Sequence, residues 1–180
     1  MVGKEVVEFR HIERALSETL ENMAFMEVHA TSQDLHIVDE DNMLYSGIEV
    51  LAPLEGNIYI AMPLDTISEI ARTVFGEAPP TEIDAKAGGD ESEETQATAD
   101  AEAKSHADSD NVDEVLNDVA GEVLNTFVGN LLKEIVPSEE SFSIGFSHTQ
   151  WASPVEDLRW RLFEVVGKVC GVATAFEREQ

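Results

Sequence analysis

The sequence predicts an α+β fold made of two similar units, each a long helix followed by antiparallel strands. Three observations support this: an amphipathic helix pattern near the N-terminus, a second near residue 112, and strand signals after each helix. The strands would form one shared sheet with the long helices packed on one face. The chain has 180 residues, of which 43% are hydrophobic, which suits a single domain covering 1–180.

The first unit begins with a predicted helix at about 12–27, whose apolar residues follow the i, i+3, i+4 spacing of one buried face. Strand signals follow at 35–38, 48–51 and 58–62. A short helix is predicted over 64–75, ending at Gly76, because glycine readily takes the left-handed conformation that closes a helix.

The second unit repeats this order. A long helix is predicted over about 112–135, with Asn111 as its N-cap, Glu114 as the capping-box partner and its end before Pro137. Strand signals return at 141–147, 158–166 and 169–176. Gly167 and Lys168 are predicted to join the last two strands.

An acidic insert at about 77–111 separates the two units. It contains two prolines, two adjacent glycines and the acidic run at 90–94, and it has no aromatic residue. Such a stretch buries too little apolar surface to offset the entropy lost on ordering, so we expect a flexible linker. A partner-binding role is the alternative.

The net charge of −26 disfavours nucleic acid and anionic membranes as partners, because both would be repelled. A charged partner is expected to be basic or metal-bearing, although solubility or a high-salt habitat would also explain the charge. The single cysteine, Cys170, cannot form an internal disulfide. No apolar run is long enough for a membrane span, and the N-terminus has no secretory pattern, so a cytoplasmic location is expected.

Common catalytic and cofactor motifs are missing from the sequence. The histidines lack metal-ligand spacing, and there is no glycine-rich phosphate loop and no nucleophile elbow. Met23, Phe25 and Met26 are interpreted as core or interface residues, and Trp160 as a packed strand residue. Functional side chains are therefore expected on the exposed faces of the helices.

The second long helix carries a line of polar residues opposite its apolar arc. Asp118, Glu122, Asn125 and Gly129 follow one another at steps of four, three and four, with Gly121 beside them. Because the apolar arc must face the sheet, this line must face solvent or a partner.

Glycine on this line costs about 1 kcal/mol of helix stability relative to alanine, so a compensating role is expected. That role is either tight packing or the close approach of a partner. Asn130 falls toward the apolar arc, where its amide needs hydrogen-bond partners.

The Glu-x-x-Asn pattern occurs twice in this helix. It is present at Glu114 and Asn117 and again at Glu122 and Asn125, so chance is a competing explanation. The second copy is favoured by its neighbours, with Asp118 before it and Gly129-Asn130 after it.

The run Asp118-x3-Glu122-x2-Asn125, followed by Gly129-Asn130, resembles the signature of the CheC/CheX/FliY chemotaxis phosphatases. The duplicated layout is similar too, and the resemblance is closest to CheX because only one site is intact. In the first helix, Thr19 stands where a glutamate is expected before Asn22. The stretch 142–148 lacks the proline that the family pattern has in this region.

The resemblance implies a phosphatase acting on the aspartyl-phosphate of a CheY-type receiver domain. Asn125 would orient the attacking water and Glu122 would pair with the receiver lysine, with Asp118, Gly121 and Gly129 supporting docking. It further implies that this chain binds no cofactor or metal, that Mg²⁺ sits on the phosphorylated partner, and that the protein is a homodimer.

Two alternatives to this function stay open. The first is a non-catalytic module of the same fold that binds a receiver or a flagellar switch protein, which the missing proline favours. The second is a dimeric scaffold whose acidic insert recruits a basic partner.

Overall fold

A computed structural model describes residues 7–31, 42–76, 101–151 and 158–176, with the side chains of 101–112 excepted. The strand predicted at 35–38 and the part of the predicted insert at 77–100 lie outside the described residues. No helix in the described part of the chain has the length and apolarity that crossing a bilayer requires.

The described residues form three helices: α1 (Phe9–Ala24), α2 (Leu64–Phe75) and α3 (Ala101–Ile135). The prediction for α2 is confirmed, including the left-handed Gly76 that follows it. Helix α1 ends earlier than predicted because Phe25 takes the left-handed conformation, with φ of 57°. The backbone N–H groups of Phe25 and Met26 then donate to the carbonyl oxygens of Glu21 and Leu20, which closes the helix.

Helix α3 begins at Ala101, so the predicted start near Val112 and the N-cap at Asn111 are wrong. The end of the predicted insert, 101–111, is helical. Alanine, glutamate and lysine in this stretch have high intrinsic helix propensity, and a helix already anchored by packing can extend through such residues.

In the part of the chain that the structure describes, seven antiparallel strands form one sheet, which confirms the α+β prediction. Their order is β1-β6-β7-β3-β2-β4, and β5 also pairs with β2. The bounds are β1 Val28–Ala30, β2 Met43–Ala52, β3 Gly56–Pro63, β4 Ser143–Ile144, β5 His148–Gln150, β6 Arg161–Val165 and β7 Lys168–Phe176. The β6–β7 hairpin and the β2–β3 hairpin lie on opposite sides of the β7–β3 contact, an arrangement that a duplication would produce. The duplication itself stays a prediction.

The strand predicted at 141–147 is shortened to β4 at Ser143–Ile144, and β5, which begins at His148, lies just beyond the predicted range. Ile144 of β4 pairs with Val50, whereas His148 of β5 pairs with Gly47, so both short strands use the same edge of β2. The register of the β2–β4 pair shifts between Val50 and Ala52, an irregularity of the kind that a β-bulge produces. The β6–β7 turn lies at Val166 and Gly167, both with positive φ, one residue before the predicted position.

The core lies between the three helices and one face of the sheet. Alternate residues of β2, such as Leu44 and Ile48, point into it, while Met43 and Tyr45 point to the other face. There Tyr45 contacts the half-buried Trp160, with ring centroids 5.9 Å apart, as expected for a packed tryptophan. Cys170 is buried in the core, and burial raises the pKa of its thiol to about 12.

Candidate functional site

The polar line predicted on α3 lies opposite the buried face of the helix. Val123, Leu124 and Phe127 are fully buried, as the apolar arc requires. Glu122 is exposed and Asn125 is half-buried, so both polar groups can be reached from solvent. The helix therefore presents these two side chains on a rigid element anchored by its other face.

Four of the five predicted site residues come together in one cleft of about 580 Å³: Asp118, Gly121, Glu122 and Asn125. Gly129 does not line this cleft, and an added Cβ there would meet nothing within 4 Å. The space beside Gly129 is open, so packing does not explain that glycine.

Gly121 has a packing role that the structure makes explicit. A Cβ added at this position would lie 3.2 Å from Ser147 Oγ, which is tighter than ordinary van der Waals contact. Ser147 belongs to the short connection between β4 and β5. The glycine therefore lets this connection approach α3 closely and form one wall of the cleft.

The β5 wall is fixed by a hydrogen bond to the sheet. Thr149 lines the cleft and lies 3.0 Å, hydroxyl to hydroxyl, from Ser46, which is buried in β2. The two residues are also direct cross-strand neighbours in the β2–β5 pair. This contact fixes Thr149, and with it this side of the cleft, to β2.

The two Glu-x-x-Asn copies differ in where their side chains lie. Asn117 lines the cleft, but Glu114 is exposed and does not contribute to it. Glu122 and Asn125 both line it. Of the two copies, only the second therefore places a carboxylate and an amide at one site.

The corresponding stretch of α1 has a structural role. Thr19 is fully buried, donates a hydrogen bond to the carbonyl oxygen of Ala15 at 2.7 Å and accepts one from Asn130 Nδ2 at 3.1 Å. This confirms that Asn130 uses its amide to bond across the core. Asn22 is exposed and lies outside the cleft.

The cleft is acidic. Asp118 and Glu122 supply two carboxylates, and none of the described residues that line it is basic. Among the ion pairs of the described residues, none engages either carboxylate. The site can therefore receive a cationic group without first breaking an internal ion pair.

Several residues of the cleft were not predicted from the sequence. Val74 and Phe75 come from the last turn of α2, and Ser147 and Thr149 come from the β5 side. Periodicity places Val74 on the buried face of α2, yet it is exposed because this turn extends past the core. No local signal marks these residues, since their position depends on how the elements pack.

The fold and the site together define an α+β protein with a Glu/Asn cleft on a sheet-packed helix. The structure is similar to the chemotaxis protein CheX from Vibrio vulnificus (14% identity, TM-score 0.63), covering 97% of this chain and 100% of that chain. It is also similar to CheX in a CheX–CheY–BeF3–Mg²⁺ complex from Borrelia burgdorferi (14%, 0.62), with the same coverage.

A third similar structure is Thermotoga maritima FliY, at 14% identity and a TM-score of 0.51, covering 90% of this chain and 82% of that chain. No family model matches the sequence, and no curated protein matches it at a significant level. The chain thus has the fold of the CheC/CheX/FliY proteins, and the predicted resemblance is confirmed at the level of the fold.

Proposed function

We propose that this protein is a phosphatase that hydrolyses the aspartyl-phosphate of a CheY-type receiver domain. The observation that supports this best is that Glu122 and Asn125 share one accessible cleft in a CheX-like fold. One of the similar structures is a CheX–CheY complex, which makes a receiver domain the natural partner to test.

The reaction requires little covalent chemistry from the protein. The oxygen of a water molecule forms a bond to phosphorus while the acyl–phosphate P–O bond breaks. The products are the aspartate carboxylate and inorganic phosphate, which retains the protons of the water. The main task is therefore to hold the water in line with the bond that breaks.

Asn125 is suited to hold this water. Its side chain is half-buried on α3, so the helix restricts its motion while the cleft leaves it open to a docked partner. An amide cannot act as a general base at neutral pH, but its carbonyl oxygen can accept a hydrogen bond from water and orient it.

Glu122 is suited to hold the partner. Its exposed carboxylate lies one helical turn before Asn125 and has no ion-pair partner among the described residues. A lysine ammonium beside the phosphoryl group of a receiver would form a charge-assisted hydrogen bond with it. Asp118, one turn further back, adds negative charge that attracts the same region.

This chain need not supply a metal. Mg²⁺ on the receiver would neutralise charge on the phosphoryl oxygens, while Glu122 and Asn125 orient the partner and the water. Gly121 supports this arrangement because it keeps the β4–β5 connection close to α3. Homodimerisation and a docking role for Gly129 stay predictions of the resemblance.

The test measures the decay of a phosphorylated receiver from the same organism with and without this protein. We expect the wild type to accelerate decay and Asn125→Ala to lose about 100-fold of that effect, because the water is no longer positioned. Asn22→Ala is the matched control, since Asn22 is an exposed asparagine at the corresponding place on α1 and outside the cleft.

Binding of the receiver is measured in parallel. Loss of catalysis in Asn125→Ala with unchanged binding supports the water-positioning role. Binding by the wild type without any acceleration of decay would contradict the phosphatase proposal for that receiver and favour the non-catalytic binding module.

A further inference from the structure

An apolar rim borders the acidic cleft. Val74 and Phe75, from the last turn of α2, line the same cleft as Glu122 and Asn125. Their exposed fractions are 44% and 62%, although both side chains are large and hydrophobic. Met23 from α1 also lines the cleft, so two helices contribute apolar surface to the rim.

The fold explains why these side chains are uncovered. Helix α2 buries Ile67, Ile70 and Ala71 against the core, but its last turn extends past the core before Gly76 ends the helix. In the part of the chain that the structure describes, no side chain covers the rim. A single exposed apolar residue is ordinary, but two consecutive ones beside a polar cleft are typical of a binding surface.

The composition of the cleft defines the kind of partner that fits it. The carboxylates of Asp118 and Glu122 favour a partner with a cationic group. The rim favours a partner that carries apolar surface next to that group. A receiver domain that presents a lysine and a bound divalent cation beside its phosphoryl group supplies the charge that matches. A nucleic acid or a free anion would bring negative charge to these carboxylates and be repelled.

We propose that Val74 and Phe75 anchor the receiver through apolar contacts next to the catalytic pair, and so determine affinity and partner choice rather than the rate of the chemical step. This inference rests on the proposed function for the identity of the partner. Central apolar anchors surrounded by polar groups carry most of the binding energy in many interfaces. The apolar part of the interface would thus come from α2, and the charged part from α3.

The experiment measures binding of the beryllofluoride–Mg²⁺ form of the receiver to wild type and to Phe75→Ala. Burial of an aromatic ring by the partner predicts that the variant weakens binding about tenfold or more. This loss should persist at high salt, whereas the loss in Glu122→Gln should shrink as salt screens the charge. In steady-state assays, Phe75→Ala should raise KM and leave kcat unchanged.

The chain offers a matched control in Phe25. Phe25 is 84% exposed and directly follows the last residue of α1, whereas Phe75 is the last residue of α2, and Phe25 lines a separate cleft. Phe25→Ala should bind the receiver as the wild type does. Thermal unfolding of both variants checks that neither change disturbs the fold, and Val74→Ala gives an independent, smaller loss of affinity.

The outcomes separate this inference from the proposed function. If the wild type does not accelerate decay but Phe75→Ala still weakens binding, the phosphatase proposal is contradicted and the binding role of Phe75 is supported. If the wild type accelerates decay and Phe75→Ala binds the receiver as tightly as the wild type, the phosphatase proposal is supported and the binding role of Phe75 is contradicted. Equal losses in Phe25→Ala and Phe75→Ala, or no binding by the wild type, would also overturn it.

Discussion

The contact between Thr19 and Asn130 should measurably stabilise the α1–α3 pair that supports the site. Thr19→Val keeps the shape of the side chain but removes the hydroxyl that accepts a hydrogen bond from Asn130. Asn130→Ala removes the donor instead. Combining the two changes in one chain completes a double-mutant cycle.

The structure sets the expected magnitudes. Thr19 is fully buried, so its replacement leaves the Asn130 amide without this acceptor in a poorly solvated place, at a cost of about 1–2 kcal/mol. Asn130 is only half-buried, and water can satisfy part of this loss. Asn130→Ala should cost about 1 kcal/mol, reduced by the higher helix propensity of alanine, and the coupling energy should be about 0.5–1.5 kcal/mol.

The free energy of unfolding is measured by urea denaturation followed by circular dichroism. Thr73→Val is the matched control. Thr73 is exposed on α2 and donates to the carbonyl oxygen of Glu69 at 3.0 Å, the same local bond that Thr19 makes to Ala15. It has no cross-helix partner in the described structure, so its replacement should change stability by less than about 0.5 kcal/mol.

Additivity of the Thr19 and Asn130 changes within about 0.5 kcal/mol would refute the reasoning, because it would mean that the two side chains do not interact energetically. A loss in Thr73→Val as large as that in Thr19→Val would also refute it. The local hydroxyl-to-carbonyl bond, rather than the bond between helices, would then account for the effect.

Three further predictions concern single positions. Gly121→Ala should raise the free energy of unfolding by up to about 1 kcal/mol, because alanine has the higher helix propensity. It should also lower activity in the decay assay, because the added Cβ displaces Ser147 at the cleft wall. Adding Ser147→Gly should restore that activity. Val166→Asn should stabilise the fold by roughly 1 kcal/mol, because a β-branched residue is strained at φ of 51° whereas asparagine tolerates this conformation. Thermal unfolding checks this prediction, and an unchanged or lower Tm would contradict it. The pKa of the Cys170 thiol is raised from 9.0 to about 12, so its contribution to stability should be fully present below pH 9 and lost as the pH rises toward 12. Cys170→Ala should therefore reduce the fall of the urea midpoint between pH 9 and pH 12. A fall as steep as that of the wild type would contradict this prediction.

Helix α2 shows what local sequence signals can predict. Its apolar spacing and the glycine that follows it fix both ends, and both ends were predicted correctly. Helix α1 ends in the left-handed conformation at Phe25, a residue type with no preference for it, so the sequence carries no stop signal there. The start of α3 was missed because alanine-rich polar sequence is compatible with either helix or linker.

The polar line of the site was predictable because one helix carries it. A period of 3.6 residues is enough to place Asp118, Glu122 and Asn125 on one side of α3. The opposing walls were not predictable in this way. Phe75 and Thr149 reach the cleft only through the packing of α2 on α3 and the pairing of β5 with β2, which depend on contacts between distant parts of the chain.

The strand order also has a consequence for how the chain must fold. The β2–β3 pair forms within the first half and the β6–β7 pair within the second, but β1 is held by β6, and β4 and β5 are held by β2. The first half thus adds one strand, β1, to the hairpin of the second half, and the second half adds two strands, β4 and β5, to the hairpin of the first. Neither half can therefore form its complete part of the sheet in isolation. The pairings between the halves join residues far apart in the sequence, so we expect them to form late in folding. The side of the cleft that β5 forms is then in place only once β2 is available to pair with it.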